Sequence, residues 1–168
     1  MIEVRWHARA GQGAKTAAQL LAEAMMRAGK SVQAFPEYGP ERRGAPMRAY
    51  TRIDDVPIRR HDSVTTPDLV VVLDASLVHE NDVAEGLAEE GLVIVNAEET
   101  PEELSGLSVA CVPVAANTNV AMLGAVAAAL GEPTVDEVVE AVCAVLGRKA
   151  DEQALRAAVE EGYASCLN

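Results

Sequence analysis

Two stretches carry residue types at spacings suited to capturing an anion. The segment "HARAGQGAKT", His7 to Thr16, follows a short apolar run and precedes a helical pattern. Its Gly11 and Gly13 let the backbone turn tightly, so that the first free N–H groups of the next helix can face a negative ligand. The second, "EYGPERRGAP" from Glu37 to Pro46, sets Glu41, Arg42 and Arg43 among the turn residues Gly39, Pro40, Gly44 and Pro46. Arginine on such a constrained backbone offers a bidentate fork to carboxylate or phosphate. Two plainer readings stand beside these. Glu41 can neutralise one arginine within the loop, and any strand-to-helix turn asks for small residues near Gly11 and Gly13.

Known phosphate loops do not fit the first stretch. A dinucleotide fingerprint starting at Gly11 and Gly13 would need glycine where Thr16 stands. A Walker A loop needs Gly-Lys-Ser/Thr in succession, and Ala14 separates Gly13 from Lys15.

The elements that must hold these loops follow from the apolar pattern. "IEVRW" reads as a first strand, and Gly13 to Ala28 as a helix with Ala17, Leu20, Leu21, Ala24, Met25 and Ala28 on one stripe and Gly29 as its stop. "SVQAFP" is a second strand. "MRAYTRI" alternates as a half-buried third, which "DDVP" turns back toward "IRRHDSV" as an antiparallel hairpin. "DLVVVLD" is the continuous apolar run of a strand buried on both faces, and "LVIVN" repeats it after a helix expected near Asn81 to Glu90. "SVACVPV" adds another strand. Helices are expected over about Asn117 to Leu130, Val135 to Leu146 and Asp151 to Ser165, the middle one opened by the capping box of Thr134 and Glu137. The alternation predicts a single α/β domain over residues 1–168: three layers, Rossmann-like, with a mostly parallel sheet and one antiparallel hairpin. Ligands of such sheets bind at the carboxyl ends of the strands, where "HARAGQG", "FPEYGPERRGAP" and "LDASLV" all emerge.

Composition excludes several classes. The chain is 49% hydrophobic but 3% aromatic, so the core is aliphatic. No apolar run reaches membrane-spanning length and the N-terminus enters a strand directly, which gives the expectation of a soluble, cytoplasmic protein. Cys111, Cys143 and Cys166 form no C-x-x-C pair, and neither a disulfide framework nor a metal or cluster site is expected from them. Residues 1–60 carry eleven Lys/Arg against six Asp/Glu, whereas residues 61–168 carry three against twenty. The basic part suits an anionic ligand or acidic partner. The acidic remainder argues against nucleic acid.

Taken in order, "HARAGQG", "VQAFPEYGPERRGAP", "RIDDVPIR", "PDLVVVLDASL" and "NTNVAMLGAVA" resemble the gamma subunits of the 2-oxoacid:ferredoxin oxidoreductases, most closely the pyruvate branch. The resemblance runs along essentially the whole chain. Ala8 and Ala10 stand where the family loop has glycine, and Lys15 where a small apolar residue is more usual. Alanine disfavours positive φ, so a loop that needed it at residue 8 or 10 would have to differ here.

The resemblance implies one part of a larger enzyme, which oxidatively decarboxylates a 2-oxoacid to acyl-coenzyme A and reduces ferredoxin. Thiamine diphosphate, magnesium and the iron–sulfur clusters are then expected on alpha, beta and delta partner subunits, with no catalytic residue or cofactor on this chain alone. Its own share is a contribution to the coenzyme A site. The residues expected there are Gly11, Gln12, Gly13, Tyr38, Gly39, Glu41, Arg42, Arg43, Gly44 and the helix-opening Asn117, with Tyr38 and Glu41 orienting the arginine loop. A 2-oxoglutarate, 2-ketoisovalerate or indolepyruvate branch, or a free-standing nucleotide- or coenzyme A-binding module, are the alternatives. A homodimer is left open for the isolated chain.

Overall fold

The computed structural model describes residues 1–37, 44–114, 116–147 and 151–167. Six strands form one sheet: β1 (Ile2–Arg9), β2 (Ser31–Pro36), β3 (Pro46–Asp54), β4 (Leu69–Val72), β5 (Leu92–Val95) and β6 (Ser108–Cys111). They lie in the order β2-β3-β1-β4-β5-β6. β3 pairs antiparallel with both β2 and β1, and the remaining pairings are parallel, so β3 alone runs against the others. The helices are α1 (Ala14–Arg27), α2 (Ser76–Glu80), α3 (Thr118–Leu130), α4 (Val135–Leu146) and α5 (Glu152–Cys166).

Strand alternation divides the core. Val4, Trp6, Ala8, Val71 and Ile94 join α1, α3, α4 and α5 in one large cluster, while Val70, Val72, Val93 and Val95 pack with Leu77, Val78, Val83 and Leu104 on the opposite face. Trp6 is fully buried, which stabilises by about 2–3 kcal/mol relative to exposure. Its indole N–H donates to Thr51 Oγ1 at 3.1 Å, and Thr51 donates in turn to the Ala18 carbonyl of α1, also at 3.1 Å. This relay fixes the first helix on the sheet.

α3 is apolar all round because it is buried all round, from Val120 to Ala127. It crosses α5 at backbone contact: a Cβ on Gly162 would fall 1.8 Å from the Ala121 oxygen, and one on Gly124 2.1 Å from that of Val159. The capping box at Thr134 and Glu137 forms as expected.

Two expectations are corrected. "IRRHDSV" is no strand, because β3 already has a neighbour on each side and offers no edge for a returning partner. The antiparallel hairpin is β2–β3 instead. The turn at "DDVP" does form, with Asp54 Oδ1 accepting from the N–H of Asp55 and Val56. No helix spans Asn81 to Glu90; the helix here is the earlier five-residue α2. The reason lies on β1. The Arg5 guanidinium takes the carbonyls of Val83 and Glu85, at 2.9 and 2.6 Å, and Gly86 turns at φ +72° against the Thr65 carbonyl. The third layer is therefore thin and mostly irregular.

Candidate functional site

β1 ends at Arg9, and the next four residues turn the chain into α1. Gly11 and Gly13 adopt φ of +99° and +92°, the left-handed region that glycine enters without steric cost. Asn117 is the one other non-helical pivot of interest, a non-glycine residue at φ 50° opening α3. Among the described residues no other non-glycine position has positive φ, so Ala8 and Ala10 fit the loop without strain. Ala8 lies within β1, fully buried against the helical layer.

No side chain caps either α1 or α3. Their N-termini meet: a Cβ on Gly13 would stand 3.0 Å from Asn119 Nδ2. Two sets of helix-opening N–H groups thus converge at the carboxyl end of the sheet, each with the partial positive charge of its helix. Lys15 is exposed in the first turn of α1.

Beside them opens a cleft of about 490 Å3, lined by Gln12, Leu73, Asp74, Ala75, Ser76, Asn96, Val114 and Thr118. Its polar wall is built by mutual hydrogen bonds. Asp74 Oδ1 accepts from the Ser76 N–H at 3.1 Å and from its hydroxyl at 2.6 Å, and Asp74 Oδ2 accepts from Gln12 Nε2 at 2.7 Å. Burial works against ionisation of Asp74, but the hydrogen bonds from Ser76 and Gln12 and the nearby Arg9 outweigh it and lower its pKa. Asn96 bridges strands, donating to Leu73 O at 3.2 Å and accepting from Val114 N at 3.0 Å.

On the face of β1 opposite α1, His7 and Arg5 are both buried, and Arg5 Nε donates to His7 Nε2 at 3.1 Å. Burial, with the cations Arg5 and Arg48 beside it, pushes the His7 pKa down to about 3, so the ring is neutral. Tyr50 donates its hydroxyl to the Glu37 carboxylate at the stem of the second loop. Burial and this bond push the Tyr50 pKa up to about 12.

Of the expected site residues, Gly11, Gln12, Gly13 and Asn117 come together on this rim. Gly44 joins them from the other loop, its N–H donating to Ala10 O at 3.4 Å. Tyr38, Gly39, Glu41, Arg42 and Arg43 lie outside the described residues. The Lys/Arg count over residues 1–60 overstates the free charge, since Arg52 is buried against Glu3 and Arg60 pairs with Asp62. Sequence reasoning did not single out Asn96, Ser76 or Thr118. Asp74 faces the rim and accepts from the Ser76 N–H at the start of α2, whose N-cap is Ala75 with no side-chain cap. Among the described residues no group of three or more His, Cys, Asp or Glu is arranged to hold a metal ion, and no helix is long and apolar enough to cross a membrane.

The fold and rim define an open α/β sheet protein with two uncapped helix N-termini at the carboxyl edge of its sheet. Residues 3–165 match the family model described as pyruvate ferredoxin/flavodoxin oxidoreductase. The chain belongs to that family. It is 46% identical over 178 residues to the common gamma subunit of the pyruvate/ketoisovalerate oxidoreductases of Pyrococcus furiosus, with 95% of each chain covered. It superposes on the crystal structure of the pyruvate oxidoreductase subunit PORC of Thermotoga maritima with TM-score 0.82 at 36% identity, over 97% of this chain and 95% of that one. The same fold forms 31% of a chain of the 2-oxoglutarate:ferredoxin oxidoreductase of Magnetococcus marinus, solved with 2-oxoglutarate, coenzyme A and succinyl-CoA bound, at TM-score 0.81 and 18% identity.

Proposed function

We propose that this chain is the gamma-type subunit of a multisubunit pyruvate:ferredoxin oxidoreductase and supplies part of its coenzyme A site. The observation that carries the reading is near-complete coverage, at 46% identity, of a relative named as a gamma subunit. The rim gives the proposal its chemistry. Coenzyme A is a phosphate-rich anion, and the converging N-termini of α1 and α3, with the backbone of Gly11, Gln12 and Gly13 and the turn at Asn117, suit its phosphates. Arg42 and Arg43 add bidentate contacts to ligand or partner, Tyr38 and Glu41 orient their loop, and Gly39 and Gly44 shape it.

The partners in this reading are alpha, beta and delta subunits, with ferredoxin as acceptor and the assembly in the cytoplasm. Thiamine diphosphate with magnesium supplies decarboxylation chemistry, and iron–sulfur clusters an electron path, on those partners. This chain binds and orients the acyl acceptor. A second reading, a gamma subunit shared between pyruvate and 2-ketoisovalerate enzymes, is favoured by the name of the Pyrococcus relative.

The test is steady-state kinetics of the assembled complex carrying Arg42→Ala and Arg43→Ala. The apparent KM for coenzyme A is expected to rise, or assembly to fail while the isolated fold persists. Unchanged assembly with unchanged coenzyme A kinetics contradicts the assignment of these two residues.

A further inference from the structure

We infer that Arg9 is a positioning residue for the proposed anion site, an inference that rests on the reading above. Its guanidinium joins separate pieces of the rim. Nη1 donates to the Gly44 carbonyl at 3.3 Å, and Nη2 donates to Ser76 Oγ at 2.7 Å and to Glu80 Oε1 at 2.6 Å. Nε donates to Ser76 Oγ at 3.3 Å and stands 3.4 Å from Asp74 Oδ2.

The main chain of the same residue closes a second ring. Arg9 N–H donates to Gln12 Oε1 at 2.7 Å, its carbonyl accepts from Gln12 N at 3.0 Å, and Gln12 Nε2 donates to Asp74 Oδ2 at 2.7 Å. Asp74 thus meets both the Arg9 side chain and the residue that the Arg9 backbone holds. Gln12 lies between the two left-handed glycines that lead into α1. A displacement of Arg9 or Asp74 is transmitted directly to that turn.

Charge separates this role from ligand contact. Arg9 faces two carboxylates, Asp74 and Glu80, so its charge is balanced inside the rim. Lysine would keep the charge but not the planar fork that reaches Gly44, Ser76 and Glu80 together. A residue needed only for positive charge tolerates Arg9→Lys; a residue needed to position does not.

The experiment compares Arg9→Lys, Arg9→Gln and the gentler Glu80→Gln in the assembled complex, with Arg42→Ala/Arg43→Ala as reference. Both Arg9 variants are expected to raise the KM for coenzyme A about tenfold while kcat at saturation stays within about twofold, since small misplacements weaken oriented binding. Glu80→Gln moves KM the same way by less. Amide exchange over residues 10–13 and 76–80 quickens, with that of α4 unchanged. A lysine variant matching wild type in KM overturns the inference, as does unchanged exchange in both segments. If the Arg42/Arg43 variant raises KM and the Arg9 variants do not, the inference fails and the coenzyme A reading stands. If none of the variants moves KM, both fail.

Discussion

Gly11 and Gly13 share a backbone conformation but not an environment, which allows the glycine turn to be dissected. Alanine at either residue must take up positive φ, at a cost of about 1–2 kcal/mol. At Gly11 nothing lies within 4 Å of the added Cβ, so the conformational cost stands alone. At Gly13 the Cβ meets Asn119, with Nδ2 at 3.0 Å and Cβ and Cγ at 3.4 Å. Moving that side chain off its rotamer adds about 0.5–1.5 kcal/mol. Gly11→Ala should therefore lower Tm by about 4–5 °C and Gly13→Ala by about 7–8 °C, at about 3 °C per kcal/mol for a chain of this size. Differential scanning calorimetry measures both. In an Asn119→Ala background the two substitutions should cost the same. Equal costs without that background refute the contact between the α1 and α3 termini, and no cost at either glycine refutes the left-handed turn.

His7 makes stability depend on pH. Its folded pKa of about 3 lies below the ordinary 6.5, so below pH 6.5 the unfolded chain binds a proton that the folded chain refuses. Stability is lost as pH falls from 6.5 toward 3, by up to about 1.4 kcal/mol per pH unit, and denaturant titrations of His7→Gln should lack that component. Glu3→Gln leaves the fully buried Arg52 with one carboxylate partner, Asp62, and should cost about 3 kcal/mol; adding Arg52→Met should cost less than the two single changes summed. Gly162→Ala forces α3 and α5 apart and should destabilise by more than about 3 kcal/mol, read by urea denaturation.

Much of the architecture was legible because the apolar pattern and the tertiary demand agree. The all-apolar runs of β4 and β5 are buried on both faces, the stripe on α1 is the face that packs, and Thr134 caps α4. The two failures have different sources. "IRRHDSV" meets a β3 already paired on both sides, and the nearby Arg52 holds the Asp62 carbonyl. Asn81 to Glu90 answers to a side chain far away in sequence, as Arg5 holds the carbonyls of Val83 and Glu85. Such capture of carbonyls by a buried arginine leaves no periodic signal. At the site, glycine spacing marked Gly11 and Gly13 from the chain alone, whereas Arg9, Asp74 and Asn96 act through bonds between segments more than twenty residues apart.

The most direct test of the central claim is anaerobic affinity purification of this chain from its native host, with partner identification, a visible spectrum and an assay of pyruvate plus coenzyme A. The account predicts larger subunits in defined proportion, brown iron–sulfur absorption and pyruvate-dependent reduction of ferredoxin. A chain recovered alone and colourless, without that activity, would contradict it.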